Sequence, residues 1–343
     1  MVALAEVIAS NKRVATELPA GLVAVFVGGT SGVGEYTLKS FARYTIKPRV
    51  YIVGRSQEAA NRILSECQQL NKDGSYEFIP ADVSLLKNID PVCRHIKRKE
   101  SVINVLFQSQ GNMAFTKTTS EGLPLASGIA THGRTRFILN LLPLLQNAAP
   151  GLRRVISVGA ASYEGPIDVN NLAGANLSLT QWRDQLASMQ TLLLEKIACR
   201  ASDVSFIHCV PGVVKGGIMR EMESDFKMKA MVLITGLLAP LINTSPEECA
   251  ERHVFLATSA RYPSRDGSAS GVAVYGKNKV AKGSDGEVGS GMYTLSQKCN
   301  SSPAKVEDLL RGFRENGVRD KVWEYVKAAF LRITGSEVMA ETL

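Results

Sequence analysis

The sequence predicts an α/β protein: a doubly wound parallel sheet of about seven strands, with helices on both faces and a helical C-terminal extension. Three observations carry this reading. Short apolar, β-branched runs alternate with segments of helical spacing along most of the chain. The runs are nearly continuous in apolarity, as strands buried on both faces are. The first of them, VFV at 25–27, runs directly into GGTSGVG and a helical stretch, a strand–turn–helix whose glycines permit a tight turn and close approach by another group.

Taken in order, strands are expected at 23–28, 49–53, 77–79, 102–107, 154–158, 205–210 and 272–275. Helices are expected at 36–44, 57–70, 89–99, 129–146 and 186–200. Past Pro211 and Gly212 the rhythm changes. Residues 216–245 read as helices over the carboxyl edge of the sheet, with Met219, Met222, Met228 and Met231 beside Leu233, Ile234, Leu237 and Leu238. Such a stripe suits a bulky hydrophobic ligand, and equally suits core or a subunit contact. Residues 276–292, rich in glycine and charge, read as a surface loop, and 303–333 return to helical spacing. No repeat or linker divides the chain. Residues 1–343 are read as one domain, with a core at 20–275 that includes a substrate lid at 216–245, and a C-terminal loop and helical extension at 276–343.

Apolar residues make up 45% of the 343, enough for a substantial core, and the net charge is +8. Lysines and arginines are scattered rather than massed, so no nucleic-acid partner is expected. The six cysteines form no CxxC pair, and the four histidines lack metal-ligand spacing. A reduced, cytoplasmic protein with no metal site is the expectation. The N-terminus lacks a basic signal-peptide region. The most apolar window, 228–242, is broken by Lys229, Gly236 and Pro240 and falls short of the about 20 residues a membrane span takes.

Gly28, Gly32 and Gly34 leave backbone N–H groups bare at a helix start, where a phosphate binds, and Thr30 and Ser31 add hydroxyls. At the end of the second strand, Val53-Gly54-Arg55-Ser56 carries an arginine where a carboxylate would hold the ribose diol of NAD. A guanidinium there suits a 2′-phosphate, hence NADP (NADPH).

With these motifs the chain resembles the short-chain dehydrogenase/reductase family over roughly residues 20–275. The segments are GGTSGVG at 28–34, VGR at 53–55, ADV at 81–83, VLFQSQG at 105–111, FILNLLPLL at 137–145, RVISV at 154–158 and PGVV at 211–214. VFVGGTSGVGE, SFIHCVPGVVK and DGEVGSGMY are similar to a fungal branch whose members often serve secondary-metabolite pathways. The resemblance implies a Rossmann-type fold and a cofactor held by Gly28, Thr30, Ser31, Gly32, Val33, Gly34 and Arg55. It places Asp82 and Val83 beside the adenine, Gly111 on the ribose side, and Pro211, Gly212 and Val213 at the nicotinamide end. It also implies a homodimer paired through the two long central helices.

The family's acid–base residues are not found. The threonine of PGxVxT is replaced by Gly216, and the serine after the fifth strand by Val158-Gly159-Ala160-Ala161. No YxxxK occurs between Tyr163 and Pro211; Leu179 and Arg183 are nearest in position, while Leu192 and Lys196 lie too close to the sixth strand. The family's asparagine falls near His132. Substitutes are Tyr163, a phenol; His132, which titrates near neutrality; Ser162; and Arg183, which holds a ribose but donates no proton. The competing readings are a loop tyrosine at 163, a helix histidine bonded to backbone at 132, a core histidine at 208 and a structural one at 253, on a helix opened by Ser245-Pro246-Glu247. Three functions follow: an NADP-dependent oxidoreductase on a hydrophobic carbonyl or alcohol (polyketide- or terpenoid-like); a non-redox isomerase, dehydratase or cyclase; or a cofactor-binding pseudoenzyme.

Overall fold

The computed structural model describes residues 2–149, 151–218, 244–276 and 278–339. Its sheet has seven parallel strands: β1 (Val23–Val27), β2 (Arg49–Gly54), β3 (Ser75–Pro80), β4 (Val105–Gln108), β5 (Arg154–Val158), β6 (Ser205–Cys209) and β7 (Met292–Leu295). They lie in the order β3-β2-β1-β4-β5-β6-β7, so the winding reverses between β1 and β4. Successive side chains of a strand point to opposite faces. In β1, Val23, Val25 and Val27 therefore enter one core cluster, and Ala24 and Phe26 the other.

The second cluster is covered by α1 (Leu4–Asn11), α2 (Val14–Glu17), α3 (Gly32–Tyr44), α4 (Gln57–Leu70) and, far along the chain, α8 (Pro246–Thr258). The first is covered by α5 (Ile89–Lys99), α6 (Arg134–Asn147), α7 (Leu179–Ala198), α9 (Ala304–Glu315) and α10 (Val318–Thr334). A π-helical segment, Gly128–Gly133, leads into α6. The helix expected at 186–200 begins seven residues earlier, because Ser178 and Gln181 close a capping box.

The seventh strand is a correction. Residues 272–275 contribute only one bridge, Val272 to Ser259, and Tyr275 is 63% exposed. The edge beside β6 is taken by Met292–Leu295, which pairs in register from Phe206↔Met292 to Cys209↔Leu295. The core thus runs past residue 275. The methionine-rich stripe expected at 216–245 lies, from 219 to 243, outside the described residues.

The C-terminal extension binds the two long central helices. Trp323, Val326 and Phe330 of α10 share a cluster with Leu193 and Ile197 of α7. Arg136, fully buried on α6, pairs with Asp90 at 2.7 Å and donates to the carbonyls of Ser336 and Glu337 at 2.7 and 2.8 Å. Asn140 accepts from the Met339 N–H at 2.9 Å. Parts of both long central helices are thus packed against the C-terminal extension.

Candidate functional site

The crevice is built at the carboxyl ends of the strands, next to the reversal between β1 and β4, where open α/β sheets bind ligands. Gly28 has φ +84° and donates to the Val53 carbonyl at 2.9 Å; a Cβ there would stand 2.6 Å from the Gln110 nitrogen. Gly34 packs against the Gly28 carbonyl and Ser109 with no room for a side chain. Val33 packs partly buried against the core of this face. Ser31 is the extended residue before α3. Thr30 leans on Gly54, where a Cβ would come within 2.8 Å of its methyl group, and this sets the end of β2 beside the turn. Arg55 follows on the exposed side, and Ser56 caps α4 by accepting from the Ala59 N–H at 3.2 Å.

The remaining cofactor candidates gather on the same rim. Ala81 donates to the Gly54 carbonyl at 2.8 Å, and Asp82 accepts from the Ser84 N–H at 3.1 Å. The Val83 carbonyl lies 3.4 Å from where a Gly133 side chain would begin. Gly111 is exposed, and the loop after β6 carries Pro211, Gly212 (φ +78°) and an exposed Val213. That loop returns to the glycine turn: Tyr36 donates to the Lys215 carbonyl at 3.0 Å, and a Cβ on Gly216 would stand 3.2 Å from Gly32 Cα. The lost threonine at 216 has a steric correlate, since a side chain there would crowd Gly32.

The acid–base candidates divide. Tyr163 and Arg183 come together, with the guanidinium 4.4 Å from the ring centre and Arg183 also paired to Asp184 at 2.6 Å. Tyr163 is 47% exposed. Ser162 adopts a left-handed φ of +69°, and its hydroxyl lies 2.8 Å from that of Ser302. His132 is a correction. The π-helical segment leaves it fully buried, with its ring centre 5.2 Å from that of Tyr325 and 6.3 Å from that of Phe330. Burial, then the nearby Arg332 charge, holds its pKa down at about 3. It stays neutral at pH 7 and is no acid for the crevice. His253 is buried on α8, its Nδ1 2.7 Å from the Cys249 carbonyl, as the structural reading expected.

Sequence reasoning missed two groups. One is aromatic: Phe115, in the segment after β4, packs edge-on against Trp182 at 4.5 Å, one residue from Arg183. The other is polar and buried. Arg134 donates to the Ser157 hydroxyl at 3.1 Å and to the Gln110 carbonyl at 2.6 Å, and its Nη2 lies 3.9 Å from where a Gly111 side chain would begin. Gln190 also donates to Ser157. Burial lowers the Arg134 pKa to about 10, so the cation persists at pH 7. The available signal was polar side chains in otherwise apolar elements: Ser157 in RVISV, and Gln190 and Thr191 in α7.

Among the described residues no group of side chains fits a metal ion, and no helix is long and apolar enough to cross a membrane.

A family model for short chain dehydrogenases matches residues 22–123. The chain is 36% identical over 334 residues to Oxidoreductase AN1596 of Emericella nidulans, covering 96% of this chain and 98% of that protein. It is 31% identical over 336 residues to Short-chain dehydrogenase/reductase SAT2 of Stachybotrys chartarum, covering 90% and 92%. Among solved structures, the Pseudomonas aeruginosa RhlG/NADP active-site complex is similar with a TM-score of 0.55 at 19% identity, covering 72% of this chain and 93% of that one. At that identity the likeness is one of fold.

Proposed function

Because the chain belongs to the short-chain dehydrogenase/reductase family, we propose that it is an NADP(H)-dependent oxidoreductase acting on a carbonyl or alcohol of a hydrophobic small molecule. The observation that carries this is the glycine turn: Gly28 and Gly34 sit where any Cβ would strike backbone, Gly32 opens α3, and Thr30 ties the turn to the strand that ends at Arg55. The residues present fit the cofactor. Bare N–H groups at the start of α3 would hold the pyrophosphate, and Arg55 the 2′-phosphate. Asp82 and Val83 would flank the adenine, Gly111 the ribose, and Pro211, Gly212 and Val213 the nicotinamide. Bound NADPH supplies a hydride.

Tyr163 under Arg183, and Trp182 next to Arg183 in sequence with Phe115 packed on it, are proposed to give an aromatic wall for an apolar substrate. Arg183 is proposed to position Tyr163 rather than to transfer protons. A role in secondary metabolism, on a polyketide- or terpenoid-like compound in the cytoplasm, is proposed from the likeness of VFVGGTSGVGE, SFIHCVPGVVK and DGEVGSGMY to a fungal branch of the family. A dimer through α6 and α7 is not part of this reading, since α10 and residues 335–339 occupy them.

The absent hydroxyl at Gly159-Ala160 favours one alternative, a non-redox isomerisation or cyclisation. Incubation with 4-deuterated NADPH and a panel of aromatic ketones and quinones separates the two. Deuterium in an alcohol product supports the oxidoreductase. Rearranged product formed without nicotinamide overturns it.

A further inference from the structure

A buried line of polar side chains runs from the surface to the end of β5, and none of the roles above uses it. It begins at the part-buried Ser162, whose hydroxyl is 2.8 Å from that of Ser302. The Ser302 hydroxyl lies 3.2 Å from that of Thr294 on β7, and Thr294 bonds Glu164 Oε1. The same oxygen is 2.9 Å from Thr191 Oγ1 on α7, and Thr191 Oγ1 is 2.8 Å from His208 Nδ1 on β6. At the far end, His208 Nε2 has no hydrogen-bond partner among the described residues and is fully buried. A Cβ on Gly159 would stand 2.6 Å from it. Gly159 is the part-exposed residue that follows β5, at the place where the family's serine was sought.

We propose that Ser162, Ser302, Thr294, Glu164, Thr191 and His208 form a proton conduit from the surface to the end of β5, with His208 as its inner relay and Nε2 as the end of the line beside Gly159. This deepens the oxidoreductase reading and rests on it. When a proton is drawn from Nε2 at the Gly159 end toward the oxygen of the carbonyl being reduced, the line replaces it. Nδ1 then takes the Thr191 hydroxyl proton, Thr191 takes the Glu164 carboxyl proton, and Glu164 is refilled from Thr294. Thr294 draws on Ser302, Ser302 on Ser162, and Ser162 on water. One O–H or N–H bond breaks and one forms at each step, and no net charge is left inside.

The environment agrees. Burial raises the Glu164 pKa, favouring the carboxyl form that stores a proton. Burial, then the Arg134 charge, keeps the His208 imidazole neutral, as transfer by tautomer exchange requires. Ser162 is one of four non-glycine residues with positive φ among the described residues, and its strained left-handed backbone presents the outer hydroxyl to Ser302.

The chain has four histidines, so 15N-histidine labelling of the full-length protein resolves each imidazole. The measurement is exchange of the ring N–H with water. His132 and His253 are the controls, as deeply buried but outside the line. The His208 proton is expected to exchange at least tenfold faster than theirs. Ser302→Ala, which touches nothing on His208, brings it down to their rate, and Ser162→Ala at the outer end does the same if Ser302→Ala does not fold. Exchange at His208 no faster than at the controls, or unchanged in both serine variants, overturns the conduit. Calorimetry with NADPH on the same samples reads the cofactor assignment separately. Slow exchange with tight binding sinks the conduit alone, and fast exchange without binding sinks only the cofactor.

Discussion

Lowering the pH from 7.5 to 5.5 should destabilise the wild-type fold by more than it destabilises a His132→Gln variant. His132 has a folded pKa of about 3 against an ordinary value of 6.5. The unfolded chain therefore takes up a proton below pH 6.5 that the folded chain refuses. A base with a depressed folded pKa contributes stability above 6.5 and loses it as pH falls toward 3. Over this interval the ratio of unfolded-state binding polynomials changes about tenfold, so one such histidine costs about 1.4 kcal/mol. His208, at about 3, and His253, at about 4, add the same again each, on the order of 4 kcal/mol in all. Glu164 and Glu195 act oppositely, because burial raises their pKa values and their neutral forms become less costly as pH falls. The difference between wild type and His132→Gln cancels them. Urea unfolding at both pH values should give a difference that shrinks by about 1.4 kcal/mol at pH 5.5. Equal pH dependence in the two proteins would mean that His132 titrates normally when folded, and the case against it as an acid would fail.

Other outcomes follow from packing. Gly34→Ala should cost about 1–3 kcal/mol, because its Cβ meets the Gly28 carbonyl, whereas Gly312→Ala on α9, with open space around it, should gain a few tenths up to about 1 kcal/mol by thermal unfolding. Arg136→Met strands Asp90 in the interior and frees residues 336–337; a loss of about 3–5 kcal/mol is expected, with increased proteolysis of the tail. Light scattering should report a species of 37.0 kDa, a monomer, since α10 covers α7; a stable dimer would show another pairing surface.

The glycine turn was legible because its signals are local. A strand, a glycine turn and a helix start within ten residues need no partner to be recognised, and Arg55 follows directly from where β2 ends. The seventh strand was not, since 272–275 and 292–295 carry similar apolar signals and only pairing with β6 decides between them. His132 was misplaced because a π-helical segment shifts side-chain direction in a way that a 3.6-residue period does not anticipate. The line from Ser162 to His208 draws on α7, β6, β7 and two loops, so no window of sequence contains it. Its only trace is polar residues, such as Thr191 and His208, at positions the pattern marks as buried.

The whole account depends on the turn at 28–34 gripping a phosphorylated dinucleotide beside Arg55. Titrating the protein with NADPH and NADH in a calorimeter measures this directly. The expected result is NADPH binding at least tenfold tighter than NADH, with the preference lost in Arg55→Ala, as removal of a charge-assisted phosphate contact of about 1.5–3 kcal/mol requires. Absence of heat with either nucleotide would contradict it.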